Sequence, residues 1–437
     1  MEILGCFLGF AVLIYLTYKD WSVYLATFVA ACVVIFFSNL NFVDALTGTF
    51  IDGAATSLKS FFFLLLFGNI QASLYRESGA AYVIAETIMK RLIHSDSSNN
   101  RKNLMGMTII LAIGGILNLG GIIAGVVVVL MYPIALEVFE LCDIPKKFIL
   151  GILAAGSFTF PQSMPGSPQV GNVAAMTTLG TAADVALIPG MVGVVVEIAA
   201  ILILMNLMIN RARKKGEHFQ RHPLDPKSTP DMPKPNFGVA LIPMVLLFLA
   251  FNLLKLHIVP CLVICNLLTI GLFWNQLRGK GLKGLLSVAA TESVPMTMSV
   301  SAVTGFGTII TTSEAFQTLL NALTSIDANP VIICWISIAL LAFLTGGCST
   351  CQLIGLPLIA PRLEAMGLSL SIIHRVSTFA STNLDTMPYC GSVLMLLPMS
   401  HLKLKDAYPA MFITTVLSTT IGTAAVVIVC ILFPGLA

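Results

Sequence analysis

Charge is what this sequence has least of. Its 437 residues include 24 Lys and Arg and 21 Asp and Glu, 10% of the chain, where soluble domains carry roughly 25%. With 57% hydrophobic residues and a mean hydropathy of +0.93, a water-facing surface cannot be covered, which excludes a soluble enzyme or binding module. Strict apolar–polar alternation is missing too, so the apolar runs are not strands of an outer-membrane barrel. The net charge is +3 and the basic residues are dispersed through loops, which excludes a nucleic-acid partner. No Walker A, H-E-x-x-H or G-x-S-x-G sequence occurs, which argues against ATP hydrolysis and membrane-embedded hydrolysis; no enzyme chemistry and no cofactor are expected. The ten cysteines lie mostly inside apolar segments, where they act as small hydrophobes rather than a disulfide framework. Cys348 and Cys351 form a C-x-x-C, but no second pair or nearby histidine completes a metal site.

What is present is the pattern of an all-α polytopic membrane protein. Apolar segments fall near 3–18, 22–38, 58–75, 104–118, 121–139, 148–161, 172–182 and 187–210, and again near 236–254, 257–275, 288–311, 330–345, 350–361, 370–383, 391–400 and 408–434. The first lacks the basic flank of a cleavable signal and reads as a retained helix. Residues 40–57, 79–92 and 313–324 read as short interfacial or lateral helices. Between the two sets, 211–235 is basic and then proline-rich, which predicts an exposed linker.

The halves on either side of that linker resemble each other. Gly120-Gly121, Pro133 and Pro165 recur as Gly346-Gly347, Pro357 and Pro388 at nearly the same spacing. With the N-terminus outside and 104–139 as a re-entrant hairpin, all Lys and Arg except Lys59, Lys255, Arg362 and Arg375 fall inside, as the positive-inside rule requires. Both termini then lie outside the cell membrane and the linker is cytoplasmic. The second half starts on the opposite side from the first, so the reading is two inverted-topology repeats with paired interrupted helices, the architecture of secondary transporters.

Four stretches interrupt the apolar pattern, two per half: Asn118 to Gly121, Ser163 to Asn172, Gly346 to Thr350, and Ser381 to Ser392. Proline removes backbone donors and glycine permits left-handed backbone, so helices open there. Opened backbone at membrane depth is tolerated only inside protein or beside a wet cavity. Helix N-termini exposed in this way suit an anion, and freed carbonyls suit a cation. The candidate substrate-binding residues are therefore Asn118, Gly120, Ser163, Gly166, Ser167, Gln169 and Asn172 from the first half, with Ser349, Thr350, Thr382, Asn383 and Tyr389 from the second. Asp385 is the only carboxylate inside a break and, with Thr386, the candidate for the coupling ion, H⁺ or Na⁺. Arg375 lies about 15 Å of helix from Asp385 and is expected to snorkel to the outer interface. Glu197 is a second intramembrane carboxyl, either a proton relay or paired with a neighbouring helix.

His374-Arg375-Val376 running to Asn383-Leu384-Asp385-Thr386-Met387-Pro388 and Gly391, with Thr345-Gly346-Gly347, the run from Pro357 to Met366-Gly367, and Pro165-Gly166-Ser167-Pro168 with Gly171-Asn172, resembles the gluconate permease (GntP-type) family of the ion transporter superfamily. The likeness covers most of 104–210 and 330–437. It implies proton-coupled uptake of small hydroxy-carboxylates by a homodimer with an elevator-like moving domain; related carriers use sodium. Pro388-Tyr389-Cys390-Gly391 departs from the Pro-His-Asn-Gly such permeases often carry, which bears on the proton route and the substrate. The expected organisation is scaffold helices at 1–92 and 236–328, transport helices at 103–210 and 330–437, and the linker 211–235. The expected function is a secondary active symporter that brings a small organic anion across the bilayer. A passive anion or small-solute channel is the alternative.

Overall fold

Backbone can cross lipid only when its N–H and C=O groups bond to one another, so apolar runs of this length must fold as helices. The computed structural model describes residues 2–19, 21–92, 99–225, 235–314, 316, 318, 321, 328–388, 390, 393 and 396–437, and every regular element among them is helical. Six helices among these residues are long and apolar enough to span a bilayer, or seven if Ile258–Leu272 and Trp274–Lys280, bent by 78°, form one span.

In the first half α1 (Glu2–Tyr18) packs on α2 (Val23–Phe37), and α3 (Ile51–Ser78) is followed by α4 (Ala80–Leu92). The lateral helix expected at 40–57 does not exist as a separate element. Asn41 caps the chain by accepting from the Val43 and Asp44 N–H groups, and the helix then runs for 37 residues, Phe42–Ser78, through a π-helical turn at Ala45–Phe50. The wider turn absorbs the change of register without breaking the ladder. Next come α5 (Asn99–Leu119), α6 (Ala124–Cys142), α7 (Ile149–Ala155), α8 (Phe160–Ser163), α9 (Val170–Leu179) and α10 (Leu187–Lys214).

The second half holds α11 (Phe237–Asn252), α12 (Ile258–Leu272), α13 (Leu282–Thr312), α14 (Pro330–Thr345), α15 (Cys348–Ala365), α16 (Leu370–Ser381), α17 (Leu404–Phe412) and α18 (Ser418–Leu432). The start of α14 is fixed by Pro330 in its first turn and by Asn329, which accepts from the Val331 N–H. Its end is fixed by Gly346 at φ 65°, a left-handed cap that lets the chain reverse into α15. The order helix, Gly-Gly turn, helix, interrupted helix thus occurs twice, in 99–179 and from 330 onward.

Two packing groups result. Helix α3 lies along α13 and α12, and α13 also packs on α2. In the other group α10 packs on α18, α9 on α15, and α16 on α14, α15 and α18. The groups touch where α13 meets α14 and α15 and where α3 meets α9 and α15.

The linker is not wholly exposed as expected: its first part is bound to the bundle. The basic residues that suggested solvent exposure find acidic partners and helix-end carbonyls at the C-terminus of α6. Arg221 pairs with Glu137 (3.0 Å) and Glu140 (2.6 Å), and the Arg213 guanidinium donates to the carbonyls of Asn99, Cys142 and Asp143. Residues 226–234 lie outside the described set. Asp225 is buried and accepts from Lys146 Nζ (2.7 Å to each oxygen), from Tyr132 Oη (3.0 Å) and from the His222 N–H (2.8 Å). Burial pushes the Asp225 carboxyl up, but Lys146 and the other donors outweigh it and hold it below the usual carboxylate range. Its contribution to stability is therefore complete above the ordinary carboxylate range and lost as pH falls through that lower value. Asp225→Asn strands a buried ammonium, so thermal melts at neutral pH should show a loss of about 3–5 kcal/mol; an unchanged melt would mean that Lys146 reaches water.

Candidate functional site

Between α7 and α9 the chain carries Pro161, Pro165 and Pro168 and cannot close a helical ladder. The carbonyls freed by this break are taken up by side chains from elsewhere. Arg375 on α16, expected at the outer interface, is instead fully buried. Its guanidinium donates to the carbonyls of Ser163 (2.6 Å), Ala183 (2.9 Å) and Val185 (2.8 Å). That correction follows from the break at Ser163 together with the loop between α9 and α10, because three convergent carbonyls satisfy a planar fork of donors better than a bilayer edge does. Beside it His374 bridges the halves, with Nε2 at 2.9 Å from Asn172 Oδ1 and Nδ1 at 2.6 Å from Thr181 Oγ1. Asn172 Nδ2 donates to Ser167 O (2.8 Å), so its oxygen faces the ring, and the neutral imidazole then carries its proton on Nε2.

The other first-half candidates hold the same break in shape. Gln169 Nε2 donates to the carbonyls of Asn118 (2.6 Å) and Ile122 (2.9 Å), tying the break to the α5–α6 turn. Asn118 Nδ2 donates to Gly114 O (2.7 Å) and Gly156 O (3.2 Å). Ser167 Oγ donates to Pro161 O and accepts from the Gln169 N–H. Gly166 sits at φ 77°, where a side chain would be strained, and a Cβ would fall 2.5 Å from Asn252 Oδ1 on α11. Gly120 packs against Met244 of α11.

In the second half, Ser349 and Thr350 are buried in the first turn of α15. Thr382 donates to Phe379 O (2.8 Å), and Asn383 bonds Thr423 on α18 (2.8 Å). Thr386 donates to Thr415 (2.6 Å), in the π-helical turn Ile413–Leu417 that joins α17 to α18. Tyr389 lies outside the described residues. Asp385 is buried beside the thiol and backbone N–H of Cys348, at the start of α15, and its Oδ1 has no hydrogen-bond partner.

These pieces converge. A Cβ on Gly171, the second residue of α9, would lie 3.5 Å from Cys348 Sγ, the first residue of α15. Neither helix start is capped by the side chain of its N-cap residue, Gln169 or Gly347. Two helix N-termini, one from each half, therefore meet next to one carboxylate. Buried oxygens without a partner accompany them on the breaks and helix starts: Asn118 Oδ1, Gln162 Oε1, Ser163 Oγ and Gln352 Oε1. Such orphaned acceptors are rare in folded proteins and call for a ligand or water. The chemistry of the place is dual: N–H groups and positive helix ends for an anion, oxygens for a proton or a hard cation.

Sequence reasoning missed Gln162, Gln352, His374 and Arg375. The glutamines sit at the ends of apolar runs, where an uncharged amide is the only signal. Glu197, on α10, is fully buried with its carboxyl beside Thr159 and the start of α8. The Thr159 hydroxyl is committed to Ala155 O, which leaves both Glu197 oxygens without a hydrogen bond. In the C-x-x-C, Cys351 Sγ turns toward Cys348 O (3.1 Å). Among the described residues one metal-capable group occurs, His222, Asp225 and His401, where the linker docks. Four hydrogen bonds already occupy the oxygens of Asp225, so the group serves as a pin for the linker.

Comparison with known proteins gives concordant results. A family model described as GntP family permease matches residues 1–259. The transporter YxjC of Bacillus subtilis (strain 168) is 24% identical over 475 residues, an alignment that covers 98% of each chain. In fold, the chain resembles the crystal structure of the YdaH transporter of Alcanivorax borkumensis, with a TM-score of 0.55 at 15% identity, covering 89% of this chain and 88% of that one.

Proposed function

The chain belongs to the GntP permease family and is a multi-pass membrane transporter rather than an enzyme, and from that premise we propose that it is a secondary active symporter importing a small organic anion, gluconate-like or another hydroxy-carboxylate, with H⁺ or Na⁺. One observation carries this reading: the starts of α9 and α15, neither capped by the side chain of its own N-cap residue, meet beside Asp385. In it, the N–H groups of those two helix ends, with Ser163, Ser349 and Thr350, receive the carboxylate. Asp385, close to Thr386, receives the cation.

The arrangement supplies a reason for coupling. An ionised Asp385 faces the positive end of α15 and competes there with any anionic solute. Two negative charges about 5 Å apart repel by roughly 3 kcal/mol at an effective dielectric near 20. A proton or Na⁺ on Asp385 removes that repulsion, so the anion binds well only after the cation, and neither is carried efficiently alone. The same reading makes the two halves inverted repeats. The α2–α3–α12–α13 group is then the scaffold, and the group built on α9, α10, α15, α16 and α18 is the moving part, in a dimer with the linker in the cytoplasm. The separate packing of the two groups supports this division.

The test is uptake into liposomes. Purified protein should concentrate labelled gluconate, or another hydroxy-carboxylate from a small panel, above its outside level when an inward H⁺ or Na⁺ gradient is imposed. Removing that gradient should abolish the accumulation. Solute that only equilibrates, under either gradient, would replace the symporter with a channel.

A further inference from the structure

The end of the molecule that carries Lys146 and the docked linker holds a cavity of about 320 Å³, within the range of small-ligand sites, about 300–1,000 Å³. Its charged lining is Lys147, Arg211, Lys215 and Lys405, with Glu217 and Asp406. Lys147 is paired with Glu217. Arg211, Lys215 and Lys405 have no ion-pair partner among the described residues, and only Asp406 offsets them. The floor is apolar, with Met208 and Pro409.

The sequence of α10 explains what such a cavity receives. Ile188, Val192, Val195, Ala199, Ile203 and Leu207 are exposed at spacings of three and four residues, one stripe along the helix. In a membrane-spanning helix an exposed apolar stripe faces acyl chains. The same face continues, four residues at a time, into Arg211 and then Lys215. A stripe suited to hydrocarbon therefore ends at a cationic cavity, as a phospholipid ends at its phosphate. Free phosphate in water has no use for the stripe.

We propose that this cavity is a binding site for the headgroup of an anionic phospholipid, its phosphodiester held by Arg211, Lys215 and Lys405 and its chains lying along α10. The site is separate from the transport site and does not depend on how that site works. Basic pockets between helices at a membrane surface select anionic headgroups in this way.

The experiment uses the full chain in a neutral detergent with three additives: phosphatidylglycerol, phosphatidylcholine and inorganic phosphate. Native mass spectrometry should show phosphatidylglycerol retained, and it alone should raise the melting temperature. Combining Arg211→Gln, Lys215→Gln and Lys405→Gln should weaken retention by on the order of fivefold per residue, while the chain stays monodisperse. Arg278→Gln with Lys283→Gln, a basic pair outside the cavity, should leave retention as in the parent. Three results would overturn the proposal: equal retention by the triple variant, equal loss in the control pair, or stabilisation by inorganic phosphate that phosphatidylglycerol does not exceed.

Discussion

Asp385→Asn is expected to abolish gradient-driven accumulation in liposomes while the protein still folds and still binds its anion. Asparagine keeps the size of the side chain and its place at the start of α15, but it cannot alternate between charged and neutral forms. It resembles the protonated carboxyl, so the repulsion that makes anion binding wait for a cation is gone. Anion affinity should then lose its dependence on pH or Na⁺, a dependence expected to be on the order of a hundredfold in the parent from the repulsion of about 3 kcal/mol. Equilibrium binding and uptake, measured on one preparation, separate the two effects. An Asp385→Asn chain that still accumulates solute against its gradient would remove this carboxylate from coupling.

Arg375→Met should be the most damaging single change in the core. The side chain is fully buried and gathers the carbonyls of Ser163, Ala183 and Val185. Ala183 O also accepts from the Gly166 N–H and so keeps a partner. The Ser163 and Val185 carbonyls are left without one, and each orphaned acceptor costs about 1–3 kcal/mol. A loss of roughly 2–6 kcal/mol is expected on that basis, read as a lower melting temperature and lost uptake. Arg375→Lys, with one ammonium for three directions, should fall between the two. A methionine variant with parental melting and uptake would show that the break holds its shape without this residue.

Arg375 also shows where the sequence stops being informative. Along its own helix it stands about 15 Å from Asp385, and by that distance alone it has nothing to bind. Its partner Ser163 is 212 positions away, in the break of the other half, and local periodicity says nothing about which breaks face each other. The breaks themselves were legible, because Pro165 and Pro168, with Gly166 between them, remove backbone donors and permit left-handed backbone within four residues, and Gly346 marks the end of α14. Composition misled at the linker: Arg213, Arg221 and Asp225 read as solvated until Glu137, Glu140 and Lys146 appear beside them. The lateral helix expected at 40–57 fails for a different reason: a π-helical turn at Ala45–Phe50 carries one helix through from Phe42 to Ser78.

Of the proposed site residues, the sequence could name the polar groups of each break but not divide their labour. Asn118, Ser167, Gln169 and Asn172 spend their donors on freed carbonyls. The groups left for a solute are helix-end N–H groups and a few unpartnered oxygens, Gln162 and Gln352 among them. That division depends on which side chain reaches which carbonyl, a tertiary fact.

The central claim is that the solute sits where α9 and α15 begin. Cys348 lies at that point, next to Gly171 and Asp385, and is partly exposed. The decisive measurement is the rate of maleimide labelling of a chain in which Cys348 is the only cysteine, with and without the transported anion and its coupling ion. The anion should slow labelling in proportion to occupancy, with half-protection near the concentration of half-maximal uptake. Labelling that stays unchanged at saturating anion would put the solute elsewhere.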